Sequence, residues 1–598
     1  MAKKSNKEIY VADFETSHEQ RNGKEYAWVW CAGYQRLFTE RSDGLKVQGN
    51  IKDFVKALLQ NETKKVYFHN LKFDGQFLLN YFLSHRYQYN DELNKDKQMS
   101  YVIDNTGTFY MLSVTFLNSK GQVRRCHFID SMKIYPYSLK VLAKQMKMEE
   151  GKGDLDYEKL RYQNHKLTSE EYDYFRRDIL ILKIAMEEAY NKGYTKLTIG
   201  SNALEQYKES IRVGNRNGKY VFKDLFPQLT KEEDSYLRNA YKGGCCMCMK
   251  DKANLILPIH SYDINSMYPS MLRDRPMPFG VPKYFKGKWK EKENFVCVQR
   301  LKCRFFIKPK HLPCIQLKHT RIYQDNEWLE NCPEQMELYL TNIDMQVFFE
   351  NYDVLDIEWL DGYEFNAHTG LFKKYINKWA EVKQNTKDAG ERLFSKLFLN
   401  NIYGKFGTNP KRISSRYTLK DGIVCRSENI ESECDSIYLP VAIFTTSYAR
   451  AYLLKYAQLN YDNFVYCDTD SIHLTKPSDN IPLHDTELGY FKYEYYGVAK
   501  HLKQKTYLVY VEKENKFGQW RDVNEYQLTC AGLNKDLLAK ENVIINFDTF
   551  KLGASFPKLK TRRVIGGVYL AKELHTLKSK DLDFDGLSVI VTRSLFML

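Results

Sequence analysis

NFVYCDTDSIHLT, residues 463 to 475, decides how this chain is read. Asp468 and Asp470 stand two residues apart between Phe464-Val465-Tyr466 and Ile472-His473-Leu474, two short runs of strand formers. The pattern predicts a hairpin with both acids at its tip. Two like charges beside half-buried strands are costly unless a cation shares the site. The same spacing recurs at Asp154/Asp156 and in the run Asp581, Asp583, Asp585, so context and not spacing makes the first pair distinctive.

Two further segments give that cation something to do. In HSYDINSMYPSML (260–272) Asp263 ends a short strand, with Tyr268 and Pro269 just beyond it. Asp263 and Asp470 would form a carboxylate pair from two strands, the arrangement that two Mg²⁺ ions bridging a triphosphate require. ERLFSKLFLNNIYGKFG (391–407) is an amphipathic helix ending at glycine, with Arg392, Lys396, Asn400 and Tyr403 on one stripe. Cations there suit a triphosphate, and Tyr403 beside Gly404 can pack on a base pair. A solvated basic helix face reads the same in isolation.

The first third carries a second acidic set. EIYVADFE (8–15) reads as a buried strand with Asp13 and Glu15 on one face. VYFHNLKFDGQFLL (66–79) reads as a strand running into a helix, with Asn70 and Asp74 near the junction. EEYDYFRRDILIL (170–182) is helical, with Tyr174 and Asp178 on one face. Four carboxylates drawn together this way need divalent metal, and two such ions activate water against a phosphodiester while Tyr174 orients it.

Composition sets the frame. The 598 residues suggest about four compact units and, at 43% hydrophobic, can bury sizeable cores. Lys and Arg outnumber Asp and Glu by 90 to 75, and 45 tyrosines are interleaved with them, which suits stacking on bases and contact with phosphates. The 13 cysteines lack disulfide or zinc spacing, Cys245-Cys246-Met247-Cys248 included, and read as reduced thiols of a cytoplasmic protein. No signal segment, membrane span or P-loop is present in the sequence, which argues against secretion, membrane insertion and an ATP-driven motor.

The order DINSMYP, KLFLNNIYG, YCDTDS resembles the three polymerase motifs of family B DNA polymerases, and YKGG (241–244), TSYAR (446–450) and KTY (505–507) fit the same family. The N-terminal set resembles that family's proofreading exonuclease motifs of the Asp-Glu-Asp-Asp type with tyrosine. The resemblance implies an α/β and α+β multidomain fold: an RNase H-like exonuclease domain followed by a right-hand polymerase of palm, fingers and thumb. It implies that Asp263 and Asp470 hold two Mg²⁺ ions, which Mn²⁺ could replace, with Asp468 in support. Asp13, Glu15, Asp74 and Asp178 would hold two more. Tyr268 would stack under the sugar and exclude a 2′-hydroxyl. Lys383 and Lys396 would grip the triphosphate, and Lys505 and Tyr507 the primer terminus. His69, Asn70, Phe73, Phe77, Ser131 and Lys152 become candidate ligands of an unpaired 3′ end. Tyr241, Gly243, Gly244, Thr446 and Arg450 become candidate contacts to DNA.

Two inserts, about 275–370 between the first two motifs and about 408–438 between the second and third, look like the protein-primed branch of the family. The implied map is exonuclease 1–200, palm 201–274 and 439–530, the inserts between them flanking fingers 371–407, and thumb with tail 531–598. In that branch the first insert grips DNA and a terminal priming protein, and the second helps encircle the template for strand displacement. The expected partners are template, primer, single-stranded 3′ ends, dNTPs and a priming protein, with the enzyme monomeric and copying a phage or linear-plasmid genome. Phe77 as a core residue, FPKLKTRR (556–563) as a phosphate track or a solvated loop, and the apolar tail SVIVTRSLFML (588–598) as thumb extension or partner contact stay open. The chain also departs from the family pattern. The interval from Lys383 to Lys396 is one residue longer than usual, Asn401 replaces a serine, and Met132 replaces a leucine. A primer-independent family B enzyme, or a nuclease with an inactive polymerase half, are the alternatives.

Overall fold

A computed structural model describes residues 8–39, 44–148, 155–156, 159–213, 218–317, 327–434, 436–516, 518–530 and 532–577. Lys152, the acidic run 581–585 and the apolar tail lie outside the described residues.

The N-terminal unit is built on an eight-stranded sheet in which Ile9–Arg21 is flanked by antiparallel Lys24–Arg36 and parallel Lys64–Phe68, the latter parallel in turn to Val123–Asp130. Ile9–Arg21 is long because its alternation is apolar toward both faces near Val11 and Ala12, which are fully buried. The helix Ser169–Asn191 starts at a Thr168/Glu171 capping box and lies across this pair of strands. Gly33 makes that approach possible, since a Cβ there would sit 2.5 Å from the Phe175 ring.

The second centre is an antiparallel seven-stranded sheet, ordered Gln519–Cys530, Thr506–Lys516, Phe491–Lys503, Ile256–Ile264, Ser471–Leu474, Phe464–Asp468, Cys246–Cys248. Chain segments more than 200 residues apart therefore lie side by side. The helix Leu439–Leu459 begins with Pro at its first turn and is buried on nearly every side through Arg450, where it packs against the helix Met267–Asp274 and this sheet. Two helices, Lys373–Asn385 and Ala389–Phe406, form an antiparallel pair above it, the second capped by Asp388.

Residues 276–369 form a sheet of their own, ordered Pro276–Lys286, Tyr352–Thr369, Phe295–Ile307, Asn331–Thr341, with the helix Asn342–Asn351 against it. Lys411–Lys420 and Ile423–Glu433 make a two-stranded hairpin. Ser555–Val564 and Gly567–Thr576 make another, whose tip reaches the first unit. There Ala27 N–H donates to the Ile565 carbonyl at 2.9 Å and Ile565 N–H donates to the Glu25 carbonyl at 3.2 Å, while Gly566 N–H donates at 3.2 Å to the Gly422 carbonyl in the turn of the other hairpin.

Candidate active sites

The hairpin Phe464–Asp468/Ser471–Leu474 carries both acids at its turn. Thr469 sits at φ +64°, a region disfavoured for a β-branched residue. Its N–H donates to the Cys245 carbonyl at 2.6 Å and its hydroxyl to Asp468 at 3.1 Å, and these bonds hold the turn in place. Ile256–Ile264 runs antiparallel to Ser471–Leu474 with Asp263 opposite Ser471, and Ile264 N–H donates to the Asp470 carbonyl at 2.7 Å. Register alone therefore places Asp263 beside the Asp470 turn.

The electrostatics show what this placement costs. Burial and the neighbouring Asp470 push Asp263 up to about 8, and burial pushes Asp470 up to about 6, with the charges of Asp468 and Glu494 adding to it. Two carboxyls that resist ionisation in this setting are a donor set that divalent cations suit, so the residues fit the metals the family implies. Asp468 is different: Lys505 Nζ lies 2.6 and 2.7 Å from its two oxygens, and Tyr466 donates to it at 3.4 Å. Its charge is already compensated by protein, as a supporting acid requires. Lys505 accordingly rests on Asp468.

Glu494 was missed in the sequence. It lies in the stretch of Phe491–Lys503 where the register against Ser261/Tyr262 slips by one residue, and its charge bears on both Asp263 and Asp470. No motif marks it; only the bulge brings it there.

The helix pair supplies the opposite charge. Arg392, Lys396 and Asn400 form the exposed stripe of Ala389–Phe406, with Tyr403 half-buried beyond them. Lys383, on the preceding helix, is pushed down by burial and by the neighbouring Lys396 and Arg392. In the loop between the two helices Arg392 donates to the Thr386 carbonyl at 3.0 Å, and the three cations gather. The Tyr268 and Tyr403 rings lie 4.1 Å apart at 33°. Gly244 closes the same corner: a Cβ there would meet Thr469 Oγ1 at 2.9 Å and the Tyr268 hydroxyl at 3.0 Å. Tyr241 abuts Gly407 in the same way, at 2.4 Å from an added Cβ. Four remote segments thus meet at one point.

Thr446 and Arg450 are buried and bonded within the protein. Thr446 is 1% exposed and donates to carbonyls of its own helix, Ala442 at 3.1 Å and Ile443 at 3.0 Å. Arg450 is 4% exposed, pairs with Asp344 at 2.8 Å and donates to the carbonyls of Lys242 and Gly243 at 2.9 and 3.0 Å. A buried guanidinium with four acceptors is a brace. It holds the YKGG loop against the 276–369 unit, and although burial opposes its charge Asp344 is held below its ordinary value, with Arg450 the largest favourable cause.

In the N-terminal unit, Asp13 lies opposite Gly33 and Glu15 opposite Cys31, on the sheet face that the Ser169–Asn191 helix covers. Glu15 and Asp13 raise the Cys31 thiol after burial has done so. Tyr174 and Asp178 are buried on that helix, and Asp74 is buried in the first turn of Leu71–Ser84, which leaves the same end of Lys64–Phe68. Among the described residues no three carboxyl, imidazole or thiol groups converge at metal-binding spacing, so register and packing bring this set to one end of the sheet without closing a cage. Asn70, at φ +71°, is exposed and its N–H donates to Asp130 at 3.1 Å. Phe73 is half-buried beside Phe77. His69 bonds Ser131 at 2.9 Å and the Tyr137 carbonyl at 2.7 Å. Ser131 is fully buried, and Phe77 is 2% exposed with Gly567 of the distal hairpin packed on its ring.

Comparison with known proteins agrees with this geometry. The profile of the family described as DNA polymerase type B, organellar and viral, matches residues 55–171 and 158–487. The DNA polymerases of Bacillus phages M2 and phi29 are each 33% identical, covering 96% of this chain and 100% and 99% of their own, and that of Streptococcus phage Cp-1 is 32% identical over similar shares. The crystal structure of phi29 DNA polymerase superposes with a TM-score of 0.88 at 31% identity. Its ternary complex with primer-template DNA and incoming nucleotide gives 0.87 at 32%, both across 96% of this chain and 100% of that one. With the exonuclease unit, palm, fingers and thumb of that architecture, the chain belongs to the type B DNA polymerases of the organellar and viral family.

Proposed function

We propose that this DNA polymerase replicates DNA from a protein primer, displaces the strand ahead of it and proofreads with its own 3′–5′ exonuclease. What supports the polymerase half is Asp263 beside the Asp470 turn, the cluster Lys383, Arg392 and Lys396 on the helix pair, and the Tyr268–Tyr403 ring contact that links that helix pair to the Asp470 side. In the proposed reaction the primer 3′-hydroxyl attacks the α-phosphate of a dNTP and pyrophosphate leaves. Asp263 and Asp470 would hold Mg²⁺, which supplies Lewis-acid stabilisation of the phosphoryl oxygens when bound. The three cations compensate the triphosphate and the departing pyrophosphate. Tyr268 lies under the sugar and leaves no room for a 2′-hydroxyl, while Lys505 and Tyr507 hold the primer end.

For the exonuclease, Asp13, Glu15, Asp74 and Asp178 would hold the metals and Tyr174 would orient the attacking water, with Asn70 and Phe73 facing the unpaired strand. The 276–369 unit and the 411–433 hairpin, placed where the protein-primed branch carries its inserts, support the terminal-protein and strand-displacement readings.

The test is extension of a primer on circular single-stranded DNA with Mg²⁺, four dNTPs and no accessory protein. Wild type should give products far longer than one circle, lost in Asp470→Ala and retained in Asp13→Ala/Glu15→Ala. A wild type that only shortens the primer would put the nuclease reading ahead. Deoxynucleotide transfer to a purified terminal protein tests protein priming, and synthesis with neither primer nor partner would favour primer-independent initiation.

A further inference from the structure

Below the catalytic hairpin the sheet buries two imidazoles against each other. His473, in Ser471–Leu474, and His501, near the end of Phe491–Lys503, are each 1% exposed. His473 Nδ1 lies 2.9 Å from His501 Nε2, and its Nε2 lies 3.2 Å from the Tyr495 hydroxyl. Tyr495 in turn is hydrogen-bonded to Ser261, the strand neighbour two residues before Asp263.

Burial holds both rings in the neutral form, His473 down at about 4 and His501 further below the usual range. A neutral imidazole has one N–H, so His473 must donate through one nitrogen and accept through the other. With Ser261 donating to Tyr495, the tyrosine proton is left to run onward and the chain takes one direction. Tyr495 donates to His473 Nε2, and His473 Nδ1–H donates to His501. The chain crosses three adjacent strands, those of Asp263, of the motif hairpin and of the KTY turn.

What rests on this chain is the floor of the primer site. The Tyr507 ring lies 5.0 Å from His501, 5.5 Å from His473 and 5.1 Å from Tyr466. The Tyr466 ring stacks on His501 at 5.0 Å and 29°, and its hydroxyl accepts the Lys505 N–H at 3.2 Å and reaches Asp468. Tyr507 is therefore seated on the imidazole pair directly, and Lys505 and the supporting acid are tied to it through Tyr466. A plain apolar filling would pack as well, but it could not fix the two strands in register through a directional bond.

We infer that His473 and His501 are positioning residues that set the seat of the primer terminus, and so its partition between the polymerase and exonuclease sites. This rests on the reading that Lys505 and Tyr507 hold the primer end. The experiment uses the full-length enzyme on a labelled primer-template. It measures the dNTP concentration at which net degradation turns into net extension, together with degradation of a single-stranded oligonucleotide and the thermal midpoint.

His501→Phe keeps a ring and removes the bond. It should raise the switch concentration about threefold to tenfold, which is about 0.7–1.4 kcal/mol at 1.4 kcal/mol per tenfold, with single-strand degradation unchanged. His501→Gln, whose amide nitrogen can stand near Nε2, should return the switch to within about twofold. Should His501→Phe fold poorly, Tyr495→Phe breaks the other end of the chain and should move the switch the same way. A switch concentration unchanged in folded His501→Phe, or a Gln variant that behaves like Phe, would overturn the inference. Lys505→Ala and Tyr507→Ala run beside them: if these too leave the switch unmoved, the primer-terminus reading itself fails.

Discussion

Asp263→Asn removes one charge without changing shape, and its effect on the metal-free protein can be worked from the structure. Asp263 titrates at about 8 in the fold and near 3.8 in an unfolded chain, because burial, Asp470 and Glu494 all oppose its charge while Lys492 helps it. Between those values the folded protein binds more protons than the unfolded one. Stability is therefore full below the unfolded value and is lost as pH rises toward 8. At about 1.4 kcal/mol per tenfold in proton affinity, the ceiling on that loss is roughly 5–6 kcal/mol. Asp263 is only half-buried and shares the repulsion with Asp470, so about 2–4 kcal/mol is the expected measured difference. Thermal unfolding in chelator should therefore show Asp263→Asn melting several degrees above wild type at about pH 8.5, with the gap narrowing as pH falls and closing only at about pH 4. Millimolar Mg²⁺ should reverse the order, because only wild type gains binding energy from the metal. Equal melting at the higher pH, or a gap that ignores pH, would refute the claim that this carboxylate is held against its own charge.

Asp13→Ala/Glu15→Ala should cut single-strand degradation by about a hundredfold or more while leaving extension on primed template, read on labelled oligonucleotides. Lys396→Ala should raise the dNTP KM about tenfold or more in single-nucleotide incorporation, the scale of one charge-assisted contact to phosphate. Arg450→Met leaves Asp344 buried beside Lys242 alone and should cost about 3–5 kcal/mol in denaturant unfolding, whereas a surface contact to DNA would cost stability nothing. Gly567→Val places a side chain where a Cβ already sits 2.1 Å from the Phe77 ring; it should displace the distal hairpin tip and shorten strand-displacement products on circular template.

How much of this was legible in sequence depends on how local each signal is. Asp263, Asp468 and Asp470 announce themselves because acids interrupt strand periodicity, and the hairpin obeys that periodicity. The stripe Arg392, Lys396, Asn400, Tyr403 follows from helical spacing and is the exposed face in the fold. Glu494 was not readable, since its place depends on a one-residue slip between strands 230 residues apart in sequence. The burial of Arg450 was not readable for a physical reason: arginine is ordinarily at the surface, and Asp344 and two carbonyls, each more than a hundred residues away, draw it into the core. Phe77 reads equally as a stacking or a packing aromatic until Gly567, almost 500 residues on, lands against its ring.

The Arg450 brace gives the first insert a mechanical relation to the active site. Asp344 lies in the first turn of Asn342–Asn351, the helix of the 276–369 unit, and its carboxylate takes Arg450 through both oxygens and Ser447 through one. Arg450 spends its other donors on the carbonyls of Lys242 and Gly243, and the next residue, Gly244, is the close neighbour of Thr469 and Tyr268. Two hydrogen-bonded steps and one close packing contact thus join the 276–369 unit to the catalytic turn. A low-dielectric ion pair of this kind adds little net stability but tolerates few alternative geometries. Whatever tilts that helix must move the YKGG loop with it or break the pair. The 276–369 unit is therefore seated against the wall of the active site, and a displacement of its helix is felt at the YKGG loop.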